Sequence, residues 1–137
     1  MDLGVKDKKV LVTAASKGLG KACATAYAEE GALVVIASRS KAQLEQAVAE
    51  IVEKTGNANV EAIVCDLTKS QDIENLMQTI GRVDILINNA GGPPAGKFND
   101  FDDKDWQHAF ELLLMNIIRT VRAVTPGMKE QQFGRIV

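Results

Sequence analysis

The chain predicts an α/β fold in which a parallel sheet is covered by helices on both faces, and three observations predict it. Strand and helix signals alternate from one end of the sequence to the other. The strand candidates are short apolar runs, as expected of strands buried on both faces. A glycine-containing break then joins the first strand directly to the first helix. At 137 residues the chain has the size of one domain, able to bury about two-thirds of its unfolded surface around a single core.

Lys9 to Ala14 reads as strand one. Helix one runs from about Gly18 to Glu30, with Ala22, Cys23, Ala26 and Tyr27 at helical spacing and Gly31 as its stop. Leu33 to Ala37 is strand two. Ser40 and Gln43 form a capping box for the next helix, whose stripe of Leu44, Val48, Ile51 and Val52 ends at Gly56. Val60 to Val64 is strand three. Thr68 and Gln71 repeat the capping box ahead of Ile73, Leu76, Met77 and Ile80, and Gly81 closes that helix. Val83 to Ile87 is strand four. After the loop from Gly91 to Gly96, a long helical pattern starts near Asp102 to Asp105 and carries Trp106, Phe110, Leu113, Leu114, Ile117, Ile118 and Val121. Pro126 should loosen or kink its last turns. The sequence from Gly134 to Val137 reads as the beginning of a fifth strand, so the sheet is expected to stop there.

Sixteen basic and eighteen acidic residues give a net charge of −2 with no long run of either sign, which points away from nucleic acid and anionic membranes. Cys23 and Cys65 lie far apart, without metal-ligand spacing or the density of a disulfide framework, and read as buried thiols; no metal is expected. No window approaches the ~20 apolar residues of a membrane span, and the N-terminus lacks an apolar signal region, so a cytoplasmic location is expected.

In open α/β sheets ligands bind beyond the carboxyl ends of the strands, where the strand order reverses. Strand one ends in Thr13 and the loop to Gly20, a turn suited to phosphate because the first N–H groups of a helix have no internal partner and glycine admits close approach. Strand two ends in Ser38-Arg39, about 20 residues beyond the glycines, where a carboxylate would bind a free ribose 2′-hydroxyl and Arg would pair with a 2′-phosphate. Lys17 adds a second cation; the alternative is that Lys17 and Arg39 are solvated surface charges. Strand three ends in Cys65-Asp66-Leu67, with Asp66 able to meet an adenine amino group or merely to precede the next helix. Strand four ends in Asn88-Asn89-Ala90-Gly91.

On these residues the whole chain resembles the short-chain dehydrogenase/reductase family, and the pair Thr13…Gly18-Leu19-Gly20 with Asn88-Asn89-Ala90-Gly91 carries the resemblance. It implies a Rossmann-type doubly wound sheet, truncated here at the start of the fifth strand, and an NADP(H) cofactor. It further implies that Ser16, Lys17, Gly18, Leu19 and Gly20 line the pyrophosphate and ribose, that Thr13 belongs to the same cofactor site, that Ser38 and Arg39 select NADP(H) over NAD(H), and that Asp66 and Leu67 meet the adenine. Asn88, Ala90 and Gly91 would then support the nicotinamide side. Asn116 matches the family's catalytic-site Asn, which supports a proton relay; the alternative is a solvent-facing helix residue. The family has Gly where this chain has Ala14, so the turn must differ slightly or accept strain.

Family members are about twice as long, with a Ser after the fifth strand and a Tyr-x-x-x-Lys pair on the following helix, positions that would follow Val137. Tyr27 sits on helix one among core positions and is no substitute, and His108 has the spacing of a surface or packing residue. Three readings follow: the cofactor-binding half of an NADP(H)-dependent carbonyl reductase, with 3-oxoacyl-acyl-carrier-protein reductases as the nearest substrate class; an NADP(H)-binding module without turnover; or an oligomerising remnant. The resemblance implies a homodimer or homotetramer through the helix bearing Asn116, and half a sheet should leave strand one or five as an open edge with the Phe110 to Val121 stripe uncovered.

Overall fold

The computed structural model describes residues 2–137. Five parallel strands, β1 (Lys9–Thr13), β2 (Leu33–Ser38), β3 (Val60–Val64), β4 (Ile85–Ile87) and β5 (Arg135–Ile136), stand in the order β3-β2-β1-β4-β5. The chain therefore winds outward from β1 on one side and returns to pair β4 on the other, with Val10 opposite both Val34 and Ile85. Strand order reverses between β1 and β4. β1 is the centre of the sheet, so the edges are β3 and β5; of the two alternatives for the open edge, strand five is one and strand one is not.

Alternate residues of the inner strands β1, β2 and β4 feed two cores. Val10, Val12, Val34, Ile36, Ile85 and Ile87 point toward α1 (Gly18–Glu29) and α2 (Lys41–Thr55), where Ala24, Ala28, Leu44, Ala47 and Ile51 cover them. Leu11, Val35, Ala37 and Leu86 point the other way, onto α3 (Ser70–Ile80) and α5 (Asn116–Glu130), through Ile73, Leu76, Ile80, Val124 and Met128. Both faces of the inner strands β2, β1 and β4 are covered, which is why these three are almost wholly apolar rather than alternating. The edge strands depart from that expectation, β3 burying Val60 while Glu61, Ala62 and Val64 are exposed, and β5 being exposed at both residues, because an edge has a neighbour on one side only. Fully burying a side chain such as Leu11 or Ile36 contributes about 1.5–3 kcal/mol.

Several local expectations shift. Helix α1 buries Gly20, Ala24, Thr25 and Ala28, while Ala22 and Ala26 are exposed and Cys23 and Tyr27 half-buried. Its many alanines give almost no contrast between faces, so spacing alone selected the wrong stripe. Ser40 does cap α2, accepting from the Gln43 amide at 3.4 Å, but the reciprocal half of the capping box is absent because the Gln43 side chain accepts from the Ser16 hydroxyl; Gly56 closes the helix in the left-handed region at φ 70°. The Thr68–Gln71 capping box does not form: α3 begins at Ser70 after Lys69, and the Thr68 hydroxyl donates instead to Asp66 Oδ1 at 2.7 Å. Strand pairing in β4 starts at Ile85 rather than Val83, because Asp84 uses its side chain to accept from the Lys9 amide at 2.8 Å.

The long helical pattern does start where expected, with Asp102 and Asp105 completing a reciprocal capping box on α4 (Asp103–Phe110). It continues into α5 through one wide turn, Glu111–Met115, in which the Asn116 amide bonds five residues back to the Glu111 carbonyl. Pro126 is carried within α5, which runs on to Glu130.

Candidate functional site

The sequence of β1 runs without a break into a strained turn. Ala14 adopts φ 49°, so the chain accepts left-handed strain at the place where the resembled family has Gly. Lys17 is the N-cap of α1 and provides no side-chain acceptor, which leaves the helix's first amides uncapped. Gly18 takes φ +59°, and a Cβ there would meet nothing within 4 Å, so its backbone stays open to approach. Gly20 has the opposite reason to be glycine: a Cβ there would lie 2.7 Å from the Ala14 carbonyl oxygen and 2.8 Å from Asn89 Nδ2. Leu19 between them is 80% exposed.

Beneath this loop, Thr13 and Asn89 lock β1 to the end of β4. The Asn89 amide donates to Thr13 Oγ1 at 2.9 Å, Thr13 Oγ1 donates to the Asn89 carbonyl at 2.7 Å, and Asn89 Nδ2 donates to the Ala14 carbonyl at 3.1 Å. Thr13 is fully buried and shapes the site from below. Asn88 accepts through Oδ1 from the Thr120 hydroxyl at 2.9 Å, which ties the same segment to α5. One turn before Thr120, Asn116 is fully buried, its Nδ2 donating to the Leu112 carbonyl at 3.1 Å and its Oδ1 without a partner. The solvent-facing alternative for Asn116 is thereby overturned.

At the other end, Ser38 carries a buried hydroxyl with no partner, and Arg39 beside it is exposed. Neither Lys17 nor Arg39 makes an ion pair among the described residues, whose pairs lie elsewhere. Asp66 is half-buried. Burial opposes its ionisation, but the Thr68 hydroxyl and amide, Lys69 and Arg39 together outweigh that and hold the carboxyl below its ordinary range. Burial next to Asp72 and Asp66 pushes the Cys65 thiol up to about 12, so it remains a neutral wall residue.

A groove of about 1130 Å³ runs along these strand ends. Ser16, Lys17, Leu19, Ser38, Arg39, Asp66, Leu67, Ala90 and Gly91 line it, whereas Thr13, Gly18, Gly20, Asn88 and Asn116 do not. Sequence reasoning missed part of the lining. Gln43 of α2 reaches the glycine loop, accepting from the Ser16 hydroxyl at 3.4 Å, α4 contributes Asp105, Trp106, His108 and Ala109, and the wide turn after it contributes Leu112. Only the packing of α4 shows this. The phosphate-loop pattern carried no signal for Asn89's role, though its side-chain amide is one of the three close contacts that leave no room for a Cβ at Gly20. Among the described residues no cluster of three or more His, Cys, Asp or Glu is placed to hold a metal, and no helix is long and apolar enough to cross a membrane.

A model of the short chain dehydrogenase family matches residues 8–137. The chain is 34% identical over 140 residues to the uncharacterized oxidoreductase YvrD of Bacillus subtilis (strain 168), covering 100% of this chain and 52% of that protein. Among solved structures it is similar to L-sorbose reductase from Gluconobacter frateurii complexed with NADPH and L-sorbose, with a TM-score of 0.89 at 33% identity over 99% of this chain and 53% of that one. It is also similar to YwfH, an NADPH-dependent reductase involved in bacilysin biosynthesis, with a TM-score of 0.87 at 29% identity over 96% and 53% of the two chains. The chain thus spans about half the length of the relatives it matches. A match that begins one residue before β1 and runs through β5, on a sheet whose order reverses beside the glycine loop, means that this chain belongs to the short chain dehydrogenase family.

Proposed function

We propose that the chain is the dinucleotide-binding half of an NADP(H)-dependent oxidoreductase that interconverts a carbonyl and a hydroxyl on a small molecule, with 3-oxoacyl thioesters as the nearest substrate class. The observation that carries the reading is the end of β2. There an unpartnered buried Ser38 hydroxyl stands beside an exposed Arg39 with no ion pair, Lys17 lines the same groove, and no carboxylate occupies the place that would bind a free 2′-hydroxyl. The NADPH complexes among the structural neighbours support the same cofactor.

The residues fit such a group. Uncapped α1 amides and the open Gly18 backbone offer donors to a pyrophosphate, with the helix dipole favouring negative charge. Arg39 and Lys17 pair with a 2′-phosphate. Asp66, ionised at neutral pH, accepts from an adenine amino group, and Leu67 packs beside it. Ala90 and Gly91 line the nicotinamide side, with Asn88 held behind them by Thr120. The nicotinamide, when bound, supplies or takes up the hydride. Asn116 presents a buried acceptor with no competing donor, which suits it to hold a proton-relaying group. By resemblance, the Ser, Tyr and Lys that handle the proton at the substrate oxygen belong to the part of the family that follows the fifth strand.

A second reading, a cofactor-binding or oligomerising module without turnover, is favoured by one observation. Phe110, Leu113, Leu114, Ile117 and Ile118 are each 36% exposed or more and form one apolar stripe along the helix that bears Asn116. In both readings that stripe joins copies into a homodimer or homotetramer, and the protein is cytoplasmic. Titrating Arg39→Asp with both nucleotides tests the cofactor assignment. The charge-assisted bonds lost are worth about 1.5–3 kcal/mol, so NADPH binding should weaken about tenfold or more while NADH binding is spared. Equal losses for the two would overturn the 2′-phosphate assignment.

A further inference from the structure

We propose that Glu111 and Arg119 are positioning residues for Asn116: their ion pair holds the single wide turn of the α4–α5 helix, and that turn fixes the Asn116 side chain with its Oδ1 free. The proposal rests on the reading that Asn116 serves the site, and it adds two residues that neither motif nor spacing singles out.

The wide turn is a local insertion in a continuous helix. Phe110 and Asn116 on its two sides both keep right-handed helical angles, at φ −60°, ψ −46° and φ −53°, ψ −51°. Such turns are rare, occur mostly as single turns inside α-helices, and are found frequently at functional sites. Here the turn has a specific effect on one side chain. In a regular helix the Asn116 amide would bond to the Leu112 carbonyl, four residues back. It bonds instead to the Glu111 carbonyl, five back. The Leu112 carbonyl is thereby released, and Asn116 Nδ2 takes it at 3.1 Å. With Nδ2 anchored, Oδ1 is left buried and without a donor. A return to regular helix would give the Leu112 carbonyl back to the Asn116 backbone amide and deprive Nδ2 of its anchor.

What holds the turn open is the pair that straddles it. Arg119 Nη1 lies 2.6 Å from Glu111 Oε2, and both side chains are about three-quarters buried. Eight residues of regular helix turn through about 800°, which leaves the first and last about 80° apart around the axis. Five residues at the slower rate of a wide turn, about 82° each, bring them within about 10° of one face. Glu111 and Arg119 therefore meet because the turn is wide, and the turn is stabilised because they meet. The same residue, Glu111, supplies the carbonyl that takes the Asn116 amide and the carboxylate that takes Arg119.

The test reads Asn116 directly, by amide NMR of its side-chain Nδ2 protons in the protein. Glu111→Gln and Arg119→Met should each displace the Asn116 side-chain resonances and speed their exchange with solvent. The charge-swapped double variant, Glu111→Arg with Arg119→Glu, should return them toward the original positions. Lys41→Met, which removes an exposed ion pair on α2, should leave them unmoved. If the single variants melt earlier but keep the original Asn116 resonances, the pair is merely stabilising and the proposal falls. Should a single variant fail to fold, the swapped variant decides: a folded swap with the original resonances supports the proposal, and one with displaced resonances, or no fold, overturns it. NADPH titration of the same samples separates this from the cofactor reading, since absent NADPH binding in the unmodified protein counts against that reading alone.

Discussion

Gly20→Ala places a Cβ 2.7 Å from the Ala14 carbonyl oxygen, 2.8 Å from Asn89 Nδ2 and 2.9 Å from Ala15 Cα. Two of these three atoms are backbone, and the third is the amide that itself holds the Ala14 carbonyl at 3.1 Å. No flexible side-chain end can yield, so α1 must move off the end of β1 or the Asn89 bond must break. Overpacking of this kind costs about 1–3 kcal/mol and a lost buried hydrogen bond about 1 kcal/mol more, with the better helix propensity of Ala offsetting up to about 1 kcal/mol. A net loss of about 2–3 kcal/mol follows. Gly18→Ala is the matched comparison, because a Cβ there meets nothing within 4 Å and the change incurs only the left-handed backbone strain, about 1 kcal/mol. Urea unfolding followed by circular dichroism reads the difference. At an m-value of about 2 kcal/mol/M, Gly20→Ala should lower the midpoint by about 1–1.5 M and Gly18→Ala by about 0.5 M. If Gly20→Ala proves no less stable than Gly18→Ala, the close approach of loop, helix and Asn89 does not govern this turn.

Other outcomes follow from the same contacts. Ala14→Gly removes the strain at φ 49° and should raise the urea midpoint, by up to about 1 kcal/mol of stability; a fall would show that the Ala14 methyl matters more in packing than in strain. Thr13→Val keeps shape but leaves the Asn89 amide without its acceptor, so unfolding should become easier by about 1–3 kcal/mol. Asp84 governs part of the acid response: burial opposes its charge, but the Lys9 amide, Arg82 and Lys8 prevail and lower its pKa. Its stabilising contribution is therefore complete above the unfolded-state value of about 3.9 and is lost as pH falls through the lower folded value. Asp84→Asn should flatten that acid limb of the thermal-melting curve; an unchanged limb would assign it to other carboxylates.

The motif-bearing strand ends were legible because each is a local matter of residue type. Ser38-Arg39 and Asp66-Leu67 follow short runs rich in β-branched residues that read as strands, the first buried and the second a largely exposed edge, and all four residues do line the groove. The turn from Thr13 to Gly20 was legible for the same reason, including the strain forced on Ala14. The stripe from Phe110 to Val121 read as uncovered; it is exposed from Phe110 to Ile118, but Val121 packs against the core beneath α5. What misled were features that depend on competition between partners. Thr68 has the spacing of a cap, but Asp66 offers its hydroxyl a better acceptor at 2.7 Å. The face of α1 was misjudged because alanines on every side leave no hydrophobic contrast, and only contact with β1 selects Ala24 and Ala28.

By itself, then, the amino-acid order determined the parallel α/β alternation, the phosphate-type turn and the place of each candidate residue along the chain, since propensity, capping and apolar spacing act over a few residues. Tertiary structure alone decided that β1 is central, that Asn89 closes the glycine turn from 76 positions away, and that α4 forms a wall of the groove. It also decided the wide turn that orients Asn116. These depend on which distant backbone groups find partners when the sheet assembles, and on how eight residues of helix bring two opposite charges onto one face. Such choices are settled by the sum of contacts in three dimensions, which no short stretch of sequence contains.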